Sequence, residues 1–80
     1  MVNTNVAKIR EAKGVTKTHI AKSLGLSLQG YRYLESGETK LDVERLKIIA
    51  IILDVDVAVF FNDELTESVI KSMQLNKKAI

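Results

Sequence analysis

Apolar residues recur every three to four positions through the first half of the chain, broken at short intervals by glycine and by hydroxyl or amide residues. That rhythm predicts a series of short amphipathic helices. The first spans Asn3 to Lys13, with Asn3, Thr4 or Asn5 as its cap, Val6, Ile9 and Arg10 at helical spacing, and Gly14 as its stop. Thr16 caps a second helix from Lys17 to Leu24, whose apolar face is Ile20, Ala21 and Leu24. Gly25 ends it, and Ser27 caps a third helix from Leu28 to about Ser36, closed by Gly37. So brief a connection forces the two helices to cross steeply, and Gly25 has the backbone freedom that the turn demands. After the polar loop from Gly37 to Lys40, Asp42 caps a fourth helix through about Leu53, and Val57 to Phe61 forms a fifth short one. From Asn62 onward the chain turns polar. Asp63 is the expected cap of a tail helix to about Gln74, with Leu65, Val69 and Met73 on one stripe, and Asn76 to Ile80 is expected to fray.

Helix four breaks the alternation. Leu46, Ile49, Ala50 and Leu53 make an inner face, which leaves Ile48, Ile51 and Ile52 without an obvious partner. Ala58 and Val59 add to this apolar surplus. Two coverings are compatible with the pattern. The tail can fold back with Leu65, Val69, Ile70 and Met73 over helix four, or the surface can bury itself against a second copy. The favoured reading is a two-fold dimer in which Ile48, Ile51, Ile52, Val59, Leu65, Val69 and Met73 form the interface.

Composition narrows the class. Eighty residues make one core, with no cysteine for a disulfide or thiolate-bound metal and no proline. Leucine, isoleucine, alanine and lysine favour helix, so the expected fold is all-α. No apolar run approaches the roughly 18 residues of a membrane span, and the N-terminus has no signal-peptide core. These features predict a cytoplasmic protein. Charge is uneven: residues 1–47 carry nine basic and five acidic groups, and residues 48–80 carry three basic and five acidic ones. The first half therefore suits a polyanion. There is no nucleophile–base pair, metal-ligand cluster or phosphate-cradling glycine loop, so an enzyme is not expected, nor a cofactor, metal or small-molecule ligand. His19, the only histidine, has no second ligand and reads as a solvated residue of helix two.

Three stretches carry a family resemblance: Ile9-Arg10-Glu11-Ala12-Lys13-Gly14-Val15-Thr16, Ile20-Ala21-Lys22-Ser23-Leu24-Gly25-Leu26-Ser27 and Tyr33-Leu34-Glu35-Ser36-Gly37. Leu46-Lys47-Ile48-Ile49-Ala50, Leu53, Val55 and Phe60-Phe61 complete the pattern. In this order and spacing the chain resembles the Cro/CI-type (XRE-type) helix-turn-helix domain of phage, plasmid and bacterial repressors. The resemblance implies a lambda-repressor-like bundle of about five short helices over residues 1–61, with residues 62–80 as a C-terminal tail helix contributing to dimerisation. It also implies a buried Arg10–Glu35 salt bridge tying helix one to the end of helix three.

The implied function is transcription regulation, most simply repression, by a homodimer on a near-palindromic operator in double-stranded DNA. Helix three would enter the major groove, where base pairs present distinct donor and acceptor patterns. Base reading would fall to Leu28, Gln29, Arg32 and Tyr33: a thymine methyl for Leu28, adenine for Gln29, guanine or a phosphate for Arg32, a hydroxyl contact for Tyr33. Phosphates would meet Thr16, Lys17, Ser27 and Lys40, the first three at helix N-termini, which favour anions. Lys17 stands where the family usually has glutamine, and Lys22 reads as a solvated charge. Gly30 inside helix three either allows a close approach to DNA or is a tolerated defect. The competing function is an antitoxin or other protein-interaction module whose tail binds a partner protein.

Overall fold

The computed structural model describes residues 1–79, with side chains described through Gln74. The described chain is all-helical: α1 (Val2–Ala12), α2 (Lys17–Leu24), α3 (Leu28–Ser36), α4 (Val43–Leu53), a 3-10 turn (Val57–Phe61) and α5 (Asp63–Ala79). The caps explain where the elements start. The side-chain oxygens of Thr16, Ser27 and Asp42 accept hydrogen bonds from the backbone N–H groups of His19, Gly30 and Arg45, at 3.1, 3.0 and 2.8 Å. Each satisfies an orphan donor in the first helical turn. Gly25 and Gly37 end α2 and α3 in the left-handed region, at φ 70° and 89°. At Gly37 a side chain would also meet the Asn3 amide, 3.1 Å from where its Cβ would lie.

The core is built from Val6 and Ile9 of α1, Ile20 and Ala21 of α2, Tyr31 and Leu34 of α3, the Leu46, Ile49, Ala50 and Leu53 face of α4, and Val59 and Phe60. The inner face of α4 is thus the one its periodicity predicts. Val59, expected on the outer surface, is instead buried at 8 % exposure. The 3-10 geometry repeats every three residues rather than 3.6 and rotates that side chain inward beside Phe60.

Three termini differ from the sequence reading. α1 begins at Val2, so its cap position falls on Met1, which makes no side-chain cap bond, and Asn3 and Asn5 lie within the helix. The Asn5 amide donates to the Phe60 carbonyl at 3.0 Å and to Asp63 Oδ1 at 2.9 Å, and the Asn3 amide donates to the Glu35 carbonyl at 3.0 Å. Asn62, not Asp63, caps α5 by accepting from the Leu65 N–H at 3.0 Å. Asp63 stands in the first turn, where the Asn5 hydrogen bond and nearby positive charge hold its carboxyl below the usual range. α5 continues through Ala79, past the Gln74 end read from the sequence, since no glycine or proline stops it. Ile80, the last residue of the stretch expected to fray, lies outside the described residues.

The tail's packing also departs from the folded-back alternative. α5 lies on α1 and the 3-10 turn, and among the described residues its backbone does not come close to that of α4. Thr66 is fully buried and donates its hydroxyl to the Val59 carbonyl at 2.7 Å, while Lys8 pairs with Glu67 at 3.0 Å. Asn5 pairs with residue 63 and Lys8 with residue 67, so α5 runs parallel to α1. Ile48 and Ile51 are left at 41 % and 79 % exposure. Local periodicity marks the tail's apolar stripe but not which helix it chooses.

Candidate nucleic-acid interface

The turn between α2 and α3 is three residues long, Gly25 to Ser27. Gly25 and Leu26 donate back to the Lys22 and Ala21 carbonyls at 3.1 and 2.8 Å, and Leu26 packs against the core. α2 and α3 are then held against each other through Ile20, Ala21, Tyr31 and Leu34. With Tyr31 and Leu34 turned in, α3 presents Leu28, Gln29, Arg32, Tyr33 and Ser36 on its open side. No described part of the chain covers that side. It combines an amide, a guanidinium, a phenol and one apolar side chain on a single rod.

Of the residues expected near phosphates, Ser27 caps this rod, Lys40 follows it in the loop, and Thr16 and Lys17 begin α2. Thr16 and Ser27 are exposed at the N-termini of α2 and α3. Each hydroxyl accepts a capping bond and keeps its proton available to donate. Lys17 is half-buried in the first turn of α2, and Lys40 is exposed in the loop after α3. The Thr39 N–H donates to the Tyr33 carbonyl at 3.0 Å, which draws that loop against the end of α3.

Beneath the rod, Glu35 fixes its angle. Arg10 Nε and Nη2 each donate to a Glu35 carboxylate oxygen at 2.9 Å, and Nη1 donates to the Val15 carbonyl at 3.0 Å. Both side chains are under a tenth exposed. The Glu35 hydrogen bond pushes the guanidinium pKa up, against the opposing effect of burial. Burial pushes the Tyr31 phenol up, and the adjacent carboxylate pushes it further, so the hydroxyl stays protonated. This buried cluster joins the C-terminal end of α3 to α1 and to the α1–α2 loop.

Gly30 has a local reason that the sequence did not reveal. A Cβ there would lie 3.2 Å from the Ser27 hydroxyl oxygen and crowd the cap of α3 by a few tenths of an ångström. Gly30, Tyr33, Leu26, Leu34 and Thr39 also line an open hollow of about 160 Å³ with Arg45 of α4. Arg45 escaped the sequence reading, its one signal being a basic residue three positions after the capping Asp42. Phe61 belongs to the Val57–Phe61 segment that the favoured dimer reading includes, and it is 59 % exposed, with Ala58 and Leu65 exposed too.

Among the described residues no three His, Cys, Asp or Glu side chains gather to hold a metal ion, and no helix is long and apolar enough to cross a membrane. Residues 6–60 match the family model described as helix-turn-helix. No curated protein and no solved structure matches the chain.

Proposed function

Because the chain belongs to the helix-turn-helix family of the Cro/CI (XRE) type, and is a DNA-binding transcription regulator on that ground, we propose that it acts as a repressor: a homodimer that lays α3 in the major groove of a near-palindromic operator. The observation that carries this reading is the uncovered side of α3, where Gln29 and Arg32 stand exposed on a helix whose opposite side is locked into the core. Gln29 matches adenine and Arg32 matches guanine, each through two hydrogen bonds. Leu28 and Tyr33 flank them. Thr16, Lys17, Ser27 and Lys40 set register on the phosphates without reading sequence. Occupying the operator is sufficient to block transcription, and the protein would do so in the cytoplasm.

The dimer rests on the apolar surface that α5 leaves open. Ile48 and Ile51 are its centre, with Leu65 and Met73 toward the tail and Ile52 and Val69 at the rim, since both are partly packed on their own core. Exposed Phe61 belongs with them and takes the place of Val59. A two-fold axis here would set two copies of α3 about one DNA turn apart, roughly 34 Å. The antitoxin alternative wants a tail that orders only on meeting its partner. The Asn5–Asp63, Lys8–Glu67 and Thr66–Val59 bonds fasten the first half of α5 within its own chain and favour the repressor reading.

Selection of bound duplexes from a random pool, at fixed salt, tests the proposal. The expected product is an inverted repeat. Gln29→Ala and Arg32→Ala should each lose about 1–3 kcal/mol of discrimination at one base position per half-site. Recovery without any enriched sequence, or an unchanged motif in both variants, would overturn it.

A further inference from the structure

Arg45 is placed against its helix's interest. It sits in the first turn of α4, where the helix dipole disfavours a cation. Its only side-chain partner among the described residues is Asp42, with Nη1 donating to Oδ2 at 3.2 Å. The other Asp42 oxygen accepts the Arg45 backbone N–H, so one carboxylate both caps α4 and holds the guanidinium. The remaining guanidinium donors have no partner among the described residues. An exposed pair of this kind adds little stability. A residue that breaks a local rule without a structural gain points to function.

Its position suggests which function. Arg45 borders the hollow whose other wall is Gly30 and Tyr33 of α3. Gly30 lies on the flank of α3 between the buried Tyr31–Leu34 side and the open side, and Tyr33 is the next residue up that flank. The bond from the Thr39 N–H to the Tyr33 carbonyl holds the connecting loop against the end of α3, where Thr39 lines the same hollow. Arg45 thus stands across this hollow from the reading helix.

We propose that Arg45 is a further DNA-contacting residue, donating to a backbone phosphate at the edge of the groove that α3 enters, with Asp42 as the carboxylate that aims it in the free protein and competes with the phosphate for it. This rests on the reading of α3 given above. The planar guanidinium suits a phosphate, and the weak Asp42 pair is readily exchanged for it. Asp42 therefore moderates affinity: it lowers the local positive charge while keeping the donor fork oriented.

The test is fluorescence anisotropy with the full chain, on the selected duplex and on an unrelated duplex, across a salt series. Arg45→Ala should weaken both about 5- to 10-fold at low salt and lower the salt slope by about 0.9, the loss of one phosphate contact. Arg45→Lys should keep the slope, because it keeps the charge. Asp42→Asn retains a capping side chain and should tighten both duplexes by a few-fold. A merely structural pair would instead weaken binding in both Arg45→Ala and Asp42→Asn through loss of α4, and that parallel loss would overturn the inference. So would an Arg45→Ala protein with unchanged affinity and slope. Gln29→Ala in the same series separates the two ideas: unchanged base preference there overturns the reading of α3, whereas a flat Arg45→Ala result beside a defective Gln29→Ala overturns this contact alone.

Discussion

Glu35→Ala should remove a large share of the protein's stability. Arg10 and Glu35 are joined by two bonds of 2.9 Å in a site where both side chains are under a tenth exposed. Removing the carboxylate strands a guanidinium that cannot lose its proton, beside a Tyr31 hydroxyl that has no hydrogen-bond partner of its own among the described residues. Breaking a buried pair in this way costs about 3–5 kcal/mol. A domain of this size has about 4–12 kcal/mol of total stability, so the loss is a large fraction of it. Replacing both members together, Arg10→Met with Glu35→Leu, should recover most of that loss, because an apolar pair of similar volume needs no partner. Urea unfolding followed by circular dichroism measures both. A Glu35→Ala protein within about 1 kcal/mol of the parent would show that the pair is not the tie between α1 and α3 that its geometry indicates.

The second large effect is on assembly. Ile51→Glu should give monomers at micromolar concentration and reduce affinity for the full operator about 10²- to 10⁴-fold. Ile51 is 79 % exposed, so the change scarcely touches the core of its own subunit. At a two-fold interface one substitution appears twice, and it sets two unpaired carboxylates into an apolar surface. The linked second half-site is then lost, while binding to an isolated half-site stays the same. Sedimentation of parent and variant, with anisotropy on full and half operators, reads out both parts. A parent that sediments as a monomer, or a variant that remains a dimer, removes α4 from the interface.

What the sequence made legible is local. Thr16, Ser27 and Asp42 announced the starts of α2, α3 and α4, and Gly25 and Gly37 announced two stops, since caps and left-handed turns need particular residues within four positions. The inner face of α4 followed from a period of 3.6. What stayed hidden depends on partners far along the chain. Asn3 and Asn5 resemble helix caps, yet their amides meet residues 35, 60 and 63 across the bundle. The stripe on α5 says that one face is covered and is silent on whether α1 or α4 covers it. Asp54 ends α4 at φ 55°, a conformation that glycine or asparagine would have flagged more strongly. The candidate reading residues were legible only through the family resemblance combined with helix phase; Arg45 fell outside both, because its relevance comes from sharing a hollow with Tyr33.

The most direct measurement is a titration of the isotope-labelled protein with its selected duplex, followed by amide and side-chain chemical shifts. Leu28, Gln29, Arg32 and Tyr33 should move most, with Thr16 and Lys17 next, while residues 63–74 of α5 hold still apart from any change at the dimer surface. Shifts gathered on α1 and α5, with the open side of α3 unmoved in a complex that is fully formed, would contradict the account.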